Sequence, residues 1–269
     1  MPLAEIERAF TRKPAFMPYF PVGYPTPAVS LDVIETLASN GADLIEVGMP
    51  FSDPLADGPV IQQATQISLQ NGTTVSSVLE GVAELRRRGV TVPLILMGYY
   101  NPIFRLGLKT FCDNAVSAGA DGLIVPDLPF EESAAMEDAL GGRMPFIRML
   151  APTTSAERAR AICRASQGFL YLVSVTGVTG ARNSVDPGLP GFLERVRASA
   201  PPDVPLCVGF GIATPLQAAE VGKIADGVIV GSACVRAVGP APDPKRAAAD
   251  FAQAFRAALD RLQPGRDSG

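Results

Sequence analysis

Histidine is absent from this chain of 269 residues. Without imidazole there is no Ser-His-Asp triad, no Cys-His pair and no ordinary histidine metal site. Catalysis here has to use Asp, Glu, Tyr, Lys or the backbone. Lysine is scarce as well: Lys13, Lys109, Lys223 and Lys245 all fall outside the predicted strands, which argues against a Schiff base inside a core. The cysteines Cys112, Cys163, Cys207 and Cys234 form no Cys-x-x-Cys pair, and they read as small buried hydrophobes in a reducing compartment. No segment approaches about 18 consecutive apolar residues, so no membrane span is expected. The net charge of −4 comes without a Lys/Arg stripe, which argues against a nucleic-acid partner. Only Arg86-Arg87-Arg88 stands out, and it closes a predicted helix, where cations suit the carbonyl end. The first residues show no basic stretch followed by an apolar run, so no secretory signal is visible and a cytoplasmic protein is the expectation.

What is present is a regular alternation. Apolar residues make up 47% of the chain and charged residues 19%, a balance that suits a sizeable core. Short β-branched runs at 16–21, 43–48, 92–97, 122–125, 146–149, 169–173, 205–209 and 227–230 read as strands. Helical patterns lie between and after them, at 29–39, 75–88, 108–117, 131–140, 156–165, 191–198, 215–221 and 246–262. Alternating βα units with buried strands predict a parallel sheet covered by helices, and their even spacing predicts a single (β/α)8 TIM barrel over residues 1–262. An open doubly wound sheet is the alternative, and the lack of an early Gly-x-Gly-x-x-Gly turn counts against it. Residues 263–269 read as a frayed tail. Thr26-Pro27 supplies a cap and a first-turn proline, and Gly41 stands just past that helix. The phrases Gly41-Ala42-Asp43, Gly119-Ala120-Asp121 and Ala225-Asp226-Gly227 repeat a helix stop followed by strand entry. Loops 50–59 and 174–190 each follow a strand, which in a barrel sets them on the catalytic C-terminal face.

Chemistry concentrates at a few positions. Alternation puts Leu44, Glu46 and Gly48 on one strand face, so Glu46 is an ionisable group among apolar neighbours. Burial raises its pKa towards what a proton shuttle needs at neutral pH, although a glutamate satisfied by backbone groups or an arginine is the plainer alternative. The loop Pro50-Phe51-Ser52-Asp53-Pro54-Leu55-Ala56-Asp57-Gly58-Pro59 restricts its own backbone and aims two carboxylates. Asp53, before Pro54, is equally a turn former, whereas Asp57 is the better candidate for meeting a ligand above Glu46. Val208-Gly209-Phe210-Gly211 and Val230-Gly231-Ser232-Ala233 end the seventh and eighth strands. Small residues there let backbone N–H groups approach a phosphate, and a helix start adds a favourable dipole. Gly177-Val178-Thr179-Gly180 is a possible third edge of this phosphate-binding cup.

At these residues the chain resembles the tryptophan synthase alpha subunit family. The stretch Glu46 to Pro59 follows that family's signature with Met49 where Val or Ile is usual. Leu170-Tyr171-Leu172-Val173-Ser174, Gly177-Val178-Thr179-Gly180, Gly209-Phe210-Gly211-Ile212 and Gly231-Ser232-Ala233 follow in the family's order. The resemblance implies a carbon–carbon lyase of tryptophan biosynthesis that splits indole-3-glycerol phosphate into indole and glyceraldehyde 3-phosphate. It implies Glu46 as proton shuttle and Asp57 as acceptor for the indole N–H. Tyr19, Tyr99 and Tyr171 then line the substrate site, and Thr179 belongs to a lid that closes towards Asp57. Gly180, Gly209, Gly211, Gly231 and Ser232 form the phosphate cup, and Asp127 stands beside a partner interface. No cofactor is implied in this chain; the partner is a beta subunit that holds pyridoxal phosphate, in an alpha2beta2 complex. Val175, Pro21 and residues 182–190 depart from the common pattern. Rival readings are a stand-alone lyase releasing free indole, a sugar-phosphate isomerase, and a non-catalytic regulatory partner; retention of both Glu46 and Asp57 argues against the last two.

Overall fold

The structure, a computed structural model, describes residues 2–173, 186–209 and 211–262. Helix α1 (Pro2–Ala9) precedes strand β1 (Ala15–Pro21), followed by α2 (Pro27–Ser39), β2 (Ile45–Gly48), α3 (Pro59–Gln70), α4 (Val75–Arg87) and β3 (Leu94–Met97). Next come α5 (Tyr100–Leu106), α6 (Leu108–Ala118), β4 (Gly122–Ile124), a 3-10 turn (Phe130–Glu132), α7 (Ala134–Leu140) and β5 (Arg148–Leu150). The chain continues through α8 (Ala156–Arg164), β6 (Leu170–Val173), α9 (Leu189–Arg197), β7 (Leu206–Gly209), α10 (Pro215–Gly222) and β8 (Gly227–Val230). Helices α11 (Ser232–Val238) and α12 (Pro244–Asp260) complete it. No helix among the described residues is long and apolar enough to cross a membrane.

The strands run parallel in the order β4-β3-β2-β1-β8-β7-β6-β5. The outer two meet at a parallel bridge between Leu123 and Phe146. Leu123 N donates to Pro145 O at 3.1 Å, and Ile147 N donates to Leu123 O at 2.8 Å. The sheet thus returns on itself as the expected (β/α)8 barrel. All eight runs become strands, seven with a shifted end and β8 with the expected bounds. β2 starts at Ile45 because Asp43 N and Leu44 N converge on one carbonyl, Phe16 O, at 2.9 and 3.4 Å, which interrupts the ladder. The helix expected at 131–140 divides at Ser133, whose hydroxyl donates to Phe130 O at 2.7 Å and closes a turn. Helices α1, α3, α5 and α11 were not legible in the periodicity. Three of them span only two turns, and α3 is rich in glutamine. The four cysteines are buried and unpaired.

Register carries the interior to the site. Tyr19 pairs with Glu46, Glu46 with Ile95 and Ile95 with Gly122. On the other half, Met149, Tyr171, Cys207 and Gly227 align across β5 to β8. Because side chains alternate, these aligned positions point together into the barrel. Below them, the fully buried Ile6 of α1 closes the N-terminal end near Gly122 and Gly168.

The repeated Ala-Asp phrase has a structural task at that N-terminal end. Asp43 Oδ2 accepts from Phe16 N and from Arg256 Nη1, both at 2.7 Å. Asp121 Oδ2 accepts from Leu94 N at 2.9 Å and pairs with Arg86. Asp226 Oδ2 accepts from Leu206 N at 2.9 Å and pairs with Arg197, while its Oδ1 takes Lys13 at 2.8 Å. Each carboxylate ties one strand entry to the neighbouring strand and satisfies a backbone N–H that the ladder leaves over. The arginine run also serves this end. Arg86 donates to Gly119 O, Val90 O and Val92 O, and Arg88 pairs with Asp32, Glu35 and Glu84. The predicted helix-end reading of those arginines is therefore correct, and α4 ends with Arg86 and Arg87 in its last turn.

Candidate active site

Glu46 stands in the middle of β2 with its side chain in the barrel, and only 1% of it is exposed. Its Oε1 has no hydrogen-bond partner, and no arginine or lysine pairs with it among the described residues. The plainer reading, a glutamate satisfied by backbone groups or an arginine, therefore finds no support at this oxygen. Burial, and then the nearby charge of Asp57, push its pKa up to about 8. At neutral pH the side chain is mostly a carboxylic acid, able to give a proton and later to take one back.

Asp57 reaches the same cavity from the loop between β2 and α3. Its own N–H donates to Pro54 O at 3.1 Å, and its carbonyl accepts from Gln62 Nε2 at 2.9 Å, so the α3 entry holds the backbone. Tyr99, just after β3, holds the side chain: its hydroxyl donates to Asp57 Oδ2 at 3.0 Å and accepts from Ala56 N at 3.0 Å. Burial raises the Asp57 pKa to about 6, and the Tyr99 hydrogen bond opposes that rise. Asp57 is mostly ionised at neutral pH, so the two carboxyl groups take opposite protonation states. Asp53 is exposed, with its carboxylate accepting from Ser52 Oγ at 2.6 Å and its carbonyl from Leu55 N at 2.9 Å, and it is the turn former of this loop.

Glu46 and Asp57 line the same cleft, which is open to solvent. Tyr19 and Tyr171 line it near Glu46, and Gly211, Gly231 and Ser232 line it at the ends of β7 and β8. Burial keeps both tyrosine hydroxyls protonated, raising their pKa further from neutrality. Each tyrosine lies on a glycine of a neighbouring strand. A Cβ at Gly48 would come within 2.3 Å of the Tyr19 hydroxyl, and one at Gly209 within 2.3 Å of the Tyr171 hydroxyl. Gly209 thus makes room for Tyr171 and does not itself line the cleft. Tyr99 likewise stands behind Asp57 and is absent from the lining. Thr179 and Gly180, with Val175, fall outside the described residues.

Comparison with known proteins gives the same family over most of the chain. Residues 7–262 match the family model described as tryptophan synthase alpha chain. The tryptophan synthase alpha chain of Chloroflexus aggregans is 48% identical over 222 residues, covering 82% of each chain. That of Dehalococcoides mccartyi is 42% identical over 259 residues, covering 96% of this chain and all of the relative. The crystal structure of tryptophan synthase alpha chain from Legionella pneumophila superposes with a TM-score of 0.87 at 35% identity, over 97% of this chain and 99% of that one.

The chain belongs to the tryptophan synthase alpha chain family.

Members of this family are lyases of tryptophan biosynthesis that cleave indole-3-glycerol phosphate. Several residues of the cleft were not singled out from the sequence. Met97 and Ile229 are inward positions of β3 and β8, legible from alternation once the strands are placed. Ile61 enters through α3, whose helical pattern is weak, and Arg236 enters from α11. Neither signal exists before the helices are folded against the barrel.

Proposed function

We propose that this cleft cleaves indole-3-glycerol phosphate to indole and glyceraldehyde 3-phosphate, with Glu46 moving the protons and Asp57 stabilising the ring. The observation that carries this assignment is the buried, unpartnered Oε1 of Glu46 opposite the ionised Asp57. The neutral Glu46 acid protonates the indole carbon that bears the glycerol chain, leaving a cationic ring. The bond to the glycerol carbon then breaks, its electron pair restoring the neutral indole. The glycerol hydroxyl loses its proton to the Glu46 carboxylate and becomes the aldehyde, which returns Glu46 to its starting state. Asp57 accepts the indole N–H and opposes the positive charge while it exists, a preorganised electrostatic contribution. Tyr19 and Tyr171 confine the ring, and Tyr99 aims Asp57. The phosphate lies against Gly211, Gly231 and Ser232.

We assign the partner as a tryptophan synthase beta subunit holding pyridoxal phosphate, in an alpha2beta2 complex of the cytoplasm; no cofactor is assigned to this chain. Family membership supports this reading, as does the TM-score of 0.85 with a structure of Mycobacterium tuberculosis tryptophan synthase at 35% identity. Leu55 and Phe104 support it too: both follow barrel strands and expose 91% and 59% of their surface. The test is indole release from indole-3-glycerol phosphate by the purified chain, beside Glu46→Gln, with and without a beta subunit. Cleavage that collapses in the variant and rises with the beta subunit is expected. A variant as active as the parent would remove Glu46 from the reaction.

A further inference from the structure

The phosphate end of the cleft has an unbalanced charge. A phosphate monoester carries close to two negative charges at neutral pH. It would enter a cleft that already contains the ionised Asp57. The loop and strand ends at Gly211, Gly231 and Ser232 supply backbone N–H groups and one hydroxyl, all neutral. One nearby donor is already taken, because Ala213 N donates to Gln217 Oε1 at 2.8 Å.

Arg236 is the single cationic side chain among the described residues lining this cleft. It stands one helical turn beyond Ser232 on α11, and positions four apart share a helix face. It is exposed and has no carboxylate partner among the described residues, whereas Arg86, Arg88, Arg197 and Arg256 are all engaged by acidic side chains. Helix α11 also packs against α3, which closes the other side of the cleft. An exposed guanidinium that lines the cleft, with no carboxylate partner among the described residues, suits a doubly charged oxyanion, for which its fork geometry supplies two parallel hydrogen bonds.

We propose that Arg236 is a substrate-binding residue that pairs with the phosphate of the substrate and sets the preference of this cleft for a phosphorylated ligand. The inference rests on the assignment of the cleft to indole-3-glycerol phosphate, and it adds a charged contact to the neutral groups that Gly211, Gly231 and Ser232 supply among the described residues. Arg236 acts on binding and takes no part in the proton transfers.

The experiment compares the full chain with Arg236→Ala and Arg236→Lys, using indole-3-glycerol phosphate and its analogue lacking the phosphate group. Loss of a charge-assisted hydrogen bond should raise KM for the phosphorylated substrate about 10-fold or more in Arg236→Ala, with kcat retained. The analogue should be cleaved equally by parent and variant. Arg236→Lys should recover part of the KM, and the difference between parent and Arg236→Ala should shrink as salt is added. Inhibition by inorganic phosphate should weaken in parallel with KM. Unchanged KM in Arg236→Ala, or an equal loss with both substrates, overturns the inference. Glu46→Gln is assayed beside them. If Glu46→Gln retains cleavage, or if the parent does not cleave the phosphorylated substrate at all, the assignment of the cleft falls and takes the inference with it. If Glu46→Gln is inactive and only the Arg236 effect is missing, the cleft assignment stands and Arg236 alone is removed from it.

Discussion

The hydroxyl of Tyr99 donates to Asp57 Oδ2 at 3.0 Å while it accepts from Ala56 N at the same distance. One side chain thus fixes both the carboxylate and the loop that carries it. Phe51, from the start of that loop, packs on the Tyr99 ring with centroids 5.4 Å apart. The bond also favours the charged form of Asp57, against the burial that raises its pKa to about 6.

Removing the hydroxyl in Tyr99→Phe should therefore move the Asp57 pKa upward and lower kcat/KM about 10-fold at neutral pH, as expected for a lost hydrogen bond to a charged group. The acidic limb of the pH profile, measured for parent and variant, reports it. An acidic limb that stays in place would mean that Tyr99 serves only packing.

The opposite protonation states of the two carboxyl groups predict a bell-shaped profile. Activity requires Asp57 ionised, above about 6, and Glu46 protonated, below about 8. Because the groups interact, the two limbs belong to the pair. kcat/KM should peak near neutrality and fall on both sides, and Glu46→Gln should reduce it by about 100-fold or more throughout. A rate that keeps rising above about pH 9 would contradict a proton-donating Glu46.

Stability carries the same signature. The folded pKa of Glu46 is raised from 4.5 to about 8, so the folded state holds a proton that the unfolded chain releases. Its stabilising contribution is complete below the unfolded value and is lost as pH rises through the folded one. Glu46→Gln should match the parent in melting temperature in mild acid and exceed it in mild alkali. Parallel melting curves across that window would show that Glu46 titrates normally.

Gly48 and Gly209 are set by the tyrosines above them. Gly48→Ala would force the Tyr19 ring, now 2.3 Å from the added carbon at its hydroxyl, into the cleft. We expect a cost of about 1–3 kcal/mol from overpacking and a raised KM. Tyr19→Leu in the same chain should recover part of the stability, by thermal melting, because the clash is with the far end of the ring. No recovery would locate the strain elsewhere.

The N-terminal face separates stability from chemistry. Asp121→Ala leaves Arg86 without its carboxylate and Leu94 N without its acceptor, and should destabilise by roughly 3 kcal/mol. Below the melting transition kcat should be unchanged, since Asp121 precedes β4 and is not among the residues that line the cleft. A selective loss of kcat would contradict that separation.

Much of this was legible along the chain. Apolar runs alternating with helical patterns require parallel strands covered by helices, because only that arrangement buries both faces of every strand. The lack of histidine and of strand lysine confined the chemistry to carboxylates, and Glu46 was marked by lying in a run that otherwise must be buried. The loop from Pro50 to Pro59 showed two acids, but nothing local distinguished Asp53, an exposed turn former, from Asp57, which turns inward. That distinction depends on Tyr99, far along the chain. The short helices α1, α5 and α11 were invisible for a related reason: two turns carry too little periodicity, and such helices persist only because the barrel packs against them. Composition and period are properties of neighbouring residues, so the sequence by itself determined the class of fold and the class of chemistry. Burial, electrostatic coupling and close approach are sums over residues brought together from distant positions. For that reason only the tertiary structure decided that Glu46 rests protonated, that Asp57 is held ionised by Tyr99, and that Arg236 faces the same cleft.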